Sequence, residues 1–160
     1  MKKVRVLEPN DSLAYRKLRL EALQTNPEYF GSSYDQQKRL DKLYFESLIE
    51  QRSAKGTMLG AYIEGKLVGM CGIAYETQLI PSAAEIIQMY VTPEFQGLGL
   101  GRLLILEAER FSKSDGVRFL VLEVFKHNRK AVSLYETAGF QIDSTLASNG
   151  DSHFMTLSIA

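Results

Sequence analysis

The stretch Val91–Phe111, "VTPEFQGLGLGRLLILEAERF", carries three glycines at alternating positions and then an apolar, helix-forming segment. A helix opening directly after a glycine-rich turn presents unpaired backbone N–H groups at the positive end of its dipole. Such an end is a ready seat for phosphate, and glycine matters there because a Cβ holds a ligand off the backbone. Two familiar phosphate loops do not fit. No Lys-Ser/Thr follows the glycines as in a P-loop, and the spacing is G-x-G-x-G, not the G-x-G-x-x-G of dinucleotide-binding folds. A nucleoside triphosphatase and a dinucleotide-dependent dehydrogenase are disfavoured, which leaves an anion cradle of another kind or a plain flexible turn.

Before the loop the period is that of strands. "TMLGAYI" and "KLVGMCGIAYE" are apolar runs separated by Glu64-Gly65, a pair suited to a tight antiparallel hairpin, and "AEIIQMYV", Ala84 to Val91, makes a third strand. Further upstream "KKVRVLE" alternates as a strand. "PNDSLAYRKLRLEALQ" follows as a helix, with Asp11 or Ser12 as N-cap candidates and Leu13, Leu20 and Leu23 as apolar positions. "TNPEYFGSSYDQQKRLDKLYFESLIEQRSAKG" reads as an irregular, aromatic-rich loop leading into a second helix through Leu40, Leu43, Tyr44, Leu48 and Ile49. After the glycine loop a helix shows Leu100, Leu103, Leu104, Ala108 and Phe111 on one face, expected to be core. The strand "RFLVLEVF", a helix "NRKAVSLYETAGF" closed by Gly139, and two strands, "FQIDSTLA" and "HFMTLSI", complete the chain. The order β-α-α-β-β-β-α-β-α-β-β predicts one α/β domain over 1–160 with a mixed sheet flanked by helices.

A chain of 160 residues is the size of one such domain, able to bury about two-thirds of the surface its unfolded form exposes. Zero formal net charge, from 19 basic and 19 acidic residues, gives no general attraction for nucleic acid or anionic membrane. "MKKVRVLEPN" has no apolar signal region, and no window approaches the roughly 18 apolar residues of a membrane span, so a cytoplasmic location is the default expectation. Cys71 is the only cysteine, which excludes an internal disulfide. With His127 and His153 as the only histidines, no zinc-like cluster exists and no metal is expected. Cys71 sits in an apolar strand and reads as an inert core thiol.

Two motifs decide what the glycines mean. "VTPEFQGLGLG" resembles the Gln/Arg-x-x-Gly-x-Gly/Ala signature of the GNAT family of N-acetyltransferases, with Gln96, Gly99 and Gly101 at the signature positions. "LEVFKHNRKAVSLYETAGF" is similar to that family's later motif: Asn128 after a strand, Ala131 three residues on, then Leu134-Tyr135-Glu136 and Gly139-Phe140. The element order matches from Val4 to Ile159. The resemblance implies a mostly antiparallel sheet with two splayed parallel strands in its middle, and acetyl-coenzyme A as cosubstrate. Its pyrophosphate would lie on the amides of Gly97, Leu98, Gly99, Leu100, Gly101 and Arg102, with Gly99 and Gly101 clearing the space. The pantetheine arm would pair with the backbone near Met89, Tyr90 and Val91. Asn128 would contact the coenzyme, while its plain reading is an N-cap of the following helix. Family members are commonly dimers, so a homodimer is an option.

Acetyl transfer to an amine requires a neutral amine and a way to stabilise the departing thiolate. A lysine-like amine with a pKa near 10.4 costs about 4–5 kcal/mol to deprotonate at pH 7. Glu85 matches a position where some members of the family place a catalytic glutamate, and a strand period of two would put it on one face with Ile87 and Met89. Glu123, in "VLEVF", is the rival, matching the base proposed in the family's ribosomal-protein N-terminal acetyltransferases; Glu85 ranks slightly ahead, and both carboxylates stand as candidates. Tyr135 matches the tyrosine that donates to the coenzyme sulfur. No residue suggests a covalent acetyl-enzyme. His127 and His153 receive no role. Tyr29, Phe30, Tyr34 and Asp35 fall in the family's variable, acceptor-recognising region. The acceptor reads as a small amine, or else a protein N-terminus or lysine; a coenzyme-binding regulator without catalysis is the competing class.

Overall fold

Apolar strand segments build an antiparallel run from β1 (Lys2–Val6), β2 (Gly56–Ile63), β3 (Lys66–Ala74) and β4 (Ala83–Val91). The computed structural model describes residues 1–146 and 150–160. The expected hairpin is present. Ile63 faces Lys66, and Glu64 (φ 47°) and Gly65 (φ 81°) both take the left-handed conformation that a type I′ turn demands. β5 (Phe119–Phe125) lies parallel to β4, and β7 (Ser152–Ser158) and the short β6 (Gln141–Ile142) complete a seven-stranded sheet ordered β1-β2-β3-β4-β5-β7-β6. On one face α4 (Leu100–Ser114) and α5 (Arg129–Thr137) cover a core of Leu59, Ile73, Ile86, Leu122 and Met155. On the other, α1 (Ser12–Thr25) and α3 (Tyr44–Gln51) cover Met58, Met70 and Tyr90.

Four details differ from the sequence reading. The stripe of α1 is Tyr15, Leu18, Arg19, Ala22 and Leu23, while Leu13 is 76% exposed; a tyrosine and an alanine at helical spacing outrank a leucine out of phase. The predicted second helix is two. Arg16 donates to the carbonyls of Lys38 (3.2 Å) and Leu40 (2.7 Å), capping the end of α2 (Tyr34–Lys38), and α3 restarts where the Glu46 carboxylate accepts from the Leu43 amide at 2.8 Å. On α4, Leu103 points outward and Ile105 inward, because the buried rows run through Leu100, Leu104, Ile105, Ala108 and Ser112. The strand expected over "FQIDSTLA" ends at Ile142, where the Asp143 carboxylate accepts from the Thr145 amide and folds a turn. Ala147, the end of that expected strand, lies outside the described residues.

Asp11 stands at the expected N-cap position of α1, but its side chain bonds to no amide of that helix and is a hub joining β1 and β2 to the helix start. Its carboxylate accepts from Arg5 at 2.7 and 3.1 Å, from the Glu8 amide at 2.8 Å and from Tyr62 Oη at 3.0 Å. The Arg5 hydrogen bond above all holds its pKa down, at about 2 against an ordinary 3.8. A carboxyl whose folded pKa is depressed contributes stability above its unfolded pKa and loses it as pH falls through the folded one. Acid melts should therefore show a stability loss from 3.8 towards about 2 that Asp11→Asn removes, the variant being less stable than wild type at neutral pH.

Candidate active site

The site begins where a ladder stops. β4 and β5 pair only through Ala83–Phe119, Ala84–Leu120 and Glu85–Val121; beyond these residues the two parallel strands splay. A bulge shapes the open part of β4. Gly72 faces Ile87 and Met70 faces Tyr90, so Cys71 opposes both Gln88 and Met89, and Gln88 takes φ 54°. The strained residue is held by its side chain, whose Oε1 accepts from Tyr15 Oη on α1 at 2.6 Å. Nearby, Glu21 of the same helix accepts from Tyr90 Oη (2.8 Å) and Thr92 Oγ1 (3.0 Å). This extra residue corrects the expected alternation. Ile87 packs with the α1 and α3 core, whereas Met89 packs with the α4 and α5 core, so Met89 does not share a face with Ile87.

A cavity of about 770 Å³ fills the gap, bounded by β4 from Ile86 to Val91, the glycine loop, β5 from Leu122 to Val124 and the start of α5. Every residue proposed above for coenzyme binding or catalysis lines it except Leu98 and Glu85. Leu98 turns its side chain to solvent, and its carbonyl accepts from Lys2 Nζ at 2.8 Å. Past Glu85 the β4 groups facing the gap have no strand to pair with. The Thr92 amide donates to Val68 on β3, so the carbonyl of the same peptide unit, that of Val91, points the other way; there it accepts from Gln96 Nε2 at 2.9 Å.

The glycines divide into two kinds. Gly97 (φ 83°) and Gly99 (φ 82°) need glycine for their backbone, and a Cβ on either meets nothing within 4 Å, which leaves a clear space over the amides that open α4. Gly101 does not clear a ligand space as expected: its missing Cβ lies 3.0 Å from Leu134 Cδ2, so it lets α4 approach α5. Arg102 strengthens that contact, donating to the Thr137 carbonyl at the end of α5 at 3.2 Å. The loop residues thus fit a diphosphate-bearing coenzyme, with donors presented and their approach unobstructed. Gly99→Ala should cost about 1–2 kcal/mol of stability in a thermal melt and weaken coenzyme A in calorimetry by about tenfold. Gly101→Ala should weaken the coenzyme less, because Leu134 is a side chain that can give.

Asn128 caps α5, its side-chain oxygen accepting from the Ala131 amide at 3.4 Å, while also lining the cavity. Tyr135 reaches the cavity from the α5 side with its ring against Phe140 at 5.8 Å. Burial pushes its hydroxyl well above the ordinary phenol range, so it stays a donor. From the opposite face, Glu123 lines the cavity and accepts from Ser152 Oγ at 2.6 Å. Glu85 sits at the last paired position, set back from the opening, with Thr77 Oγ1 donating at 3.4 Å. Burial, with a contribution from the charge of Glu123, raises its pKa against that Thr77 bond. Cys71 is fully buried, its thiol pushed up to about 12 by burial.

The segment after α1 closes one side. Tyr29 and Phe30 line the cavity; Tyr34 and Asp35, on α2, do not. His127 is more than an edge residue: its Nε2 meets the Glu28 carbonyl at 3.1 Å, and its ring lies between those of Phe125 and Tyr29, 5.5 Å from each. It ties the post-α1 loop to the end of β5. His153 pairs with Val124, on the sheet face turned away from Glu123. Sequence reading missed Gln88, Tyr15 and Glu21, none of which belongs to a motif; a glutamine inside an apolar strand is their one visible signal.

Comparison with known proteins agrees with this geometry. The model of the acetyltransferase (GNAT) family matches residues 17–140. The spermidine N(1)-acetyltransferase of Thermoplasma acidophilum is 28% identical over 151 residues, covering 84% of this chain and 91% of that protein. Among solved structures, the PaiA N-acetyltransferase of Thermoplasma acidophilum in complex with coenzyme A superposes with a TM-score of 0.79 at 22% identity over 99% of both chains. The ribosomal-protein-S18-alanine N-acetyltransferase of Escherichia coli gives 0.69 at 19% identity over 100% of this chain and 95% of that one. With the family match spanning both motifs and the splayed strands between them, the chain belongs to the GNAT family of N-acetyltransferases.

Proposed function

We propose that the protein moves an acetyl group from acetyl-coenzyme A to the primary amine of a small molecule, directly, with both substrates bound. The observation that carries this reading is the placement of Tyr135 and Glu123 on opposite faces of one gap, with the glycine cradle at its end. Acetyl-coenzyme A supplies an activated acyl thioester when bound. The amides of the α4 N-terminus hold its diphosphate, and the unpaired edge of β4 takes its amide-bearing arm. Glu123, facing the cavity, accepts the amine proton directly or through one water. Tyr135, kept protonated by burial, donates a hydrogen bond where the sulfur leaves. Asn128, Gln96 and Arg102 position the loop and α5 around the coenzyme.

The bond between His127 and the Glu28 carbonyl ties the post-α1 segment to the end of β5 beside Tyr29, and a rim held in this way supports a small acceptor over a protein segment. Thiol release from acetyl-coenzyme A, followed across small amines, lysine peptides and peptides with free N-termini, tests the reading. Turnover is expected on small amines. Tight coenzyme binding with no turnover on any amine would mark a regulator instead, and exclusive turnover on peptides a protein acetyltransferase.

A further inference from the structure

Arg19 lies on the buried stripe of α1 with Tyr15 one turn before it, and it is only 6% exposed. Its Nη1 is buried without a hydrogen-bond partner among the described residues. What it does have is a ring: the guanidinium stands 5.1 Å from the centroid of Phe30. A guanidinium keeps its charge at any pH a folded protein meets, and buried charges are ordinarily paired. The neighbouring Arg16 shows the ordinary pattern, with Glu46 at 2.6 Å and carbonyls around it. For Arg19, burial disfavours the charge, and the influence opposing it is the Tyr15 hydroxyl, not a carboxylate.

The position of this lone charge matters. Phe30 lines the cavity and packs edge-on against Tyr90 of its wall, with 6.4 Å between centroids. Tyr15 bonds to Gln88, which also lines the cavity. Arg19 is therefore one aromatic layer behind the cavity wall, on the sheet face from which Glu123 projects. The Phe30 ring borders both Arg19 and the cavity, and it sits on an irregular segment beside Gly31.

We propose that the acceptor carries a carboxylate as well as its amine, and that Arg19 takes this carboxylate when the Phe30 ring moves aside. The inference rests on the acetyl-transfer reading and narrows its acceptor to amino-acid-like molecules. One guanidinium offers a bidentate seat matching one carboxylate in shape and charge. A doubly charged phosphate would leave a negative charge unmatched in the same buried place. Glu123 then faces the ammonium end, so the two charges of the site oppose the two charges of the substrate, and a purely cationic amine is selected against.

The test uses matched series: free amino acids and their carboxamides as acceptors, and N-acetyl amino acids and N-acetyl amino amides as binding probes in calorimetry with coenzyme A present. In the wild type, acids should exceed amides by at least about tenfold in kcat/KM, and N-acetyl acids should bind at least about tenfold more tightly than N-acetyl amides. Arg19→Met should bring the acids down to the amides in both measurements, while Phe30→Ala, which uncovers Arg19, should tighten binding of the N-acetyl acids. Amides serving as well as acids in the wild type, or a preference that survives Arg19→Met, overturns the proposal. If the coenzyme binds and no amine in either series is acetylated, the acetyl-transfer reading fails, and the calorimetric difference between acids and amides still decides for or against Arg19.

Discussion

Replacing Tyr135 by phenylalanine should lower kcat by about 10²-fold while leaving KM for acetyl-coenzyme A nearly unchanged, measured as thiol release at saturating amine. The ring remains, so its packing on Phe140 and the α4 and α5 core is kept; the hydroxyl alone is removed. That hydroxyl is set against sulfur in the proposed complex, where charge appears only as the acyl group departs, so its loss reads in kcat and not in ground-state binding. Burial raises its pKa, which keeps the donor proton in place through the working range; the basic limb of the wild-type pH profile should therefore belong to another group. Equal turnover in wild type and Tyr135→Phe would remove the hydroxyl from the mechanism.

Glu123→Gln should cost a comparable factor in kcat/KM at neutral pH, on the order of 10²-fold, and the deficit should shrink as pH rises. The free-base fraction of a lysine-like amine grows tenfold per pH unit up to about 10.4, so at high pH the substrate arrives without the proton that Glu123 is proposed to accept. Glu85→Gln separates the two carboxylates. Glu85 is set back from the cavity, so this change should leave most activity and act on stability instead. Because its folded pKa is raised, its ionised form is disfavoured in the native state, and stability is lost as pH rises through that value. The glutamine variant should melt higher than wild type at neutral pH and equally with it in acid below 4.5. A Glu85→Gln enzyme as damaged as Glu123→Gln would reverse the assignment.

The strands and the loop were legible in the sequence because each is specified locally. Glu64-Gly65 dictates a hairpin, and alternate glycines before a leucine-rich helix dictate a left-handed entry. Asn128 and Tyr135, which line the cavity, are singled out by a motif whose spacing is fixed by the strand, turn and helix that carry it. What escaped depends on partners distant in sequence. The bulge at Gln88 is held by Tyr15, 73 residues away, and it changes which face Met89 occupies; no period in "EIIQMYV" reveals it. The break between α2 and α3 is likewise made by Arg16 reaching 24 residues forward to the Leu40 carbonyl. By sequence Glu85 ranks slightly ahead of Glu123; the point where the ladder stops, which no local pattern reveals, sets Glu85 back from the cavity and leaves Glu123 facing it.

That stopping point has a consequence for how the protein behaves in the absence of substrate. A pair of strands that part company within one sheet creates two edges in its interior, and exposed edges are ordinarily a hazard for pairing between molecules. Here Asn26, Tyr29 and Phe30 of the post-α1 segment line the gap as well, so a second chain should not be able to lie flat along either edge. A narrow arm with amide groups can. The free edge thus admits ligands by cross-section, and whatever enters supplies hydrogen bonds that the sheet itself omits. Occupancy and folding stability become coupled: a ligand held at 100 times its Kd adds about 2.7 kcal/mol to the native state. The proposed coenzyme would accordingly serve as a removable eighth strand, and the chain would resist heat and proteolysis in proportion to the supply of its own acyl donor.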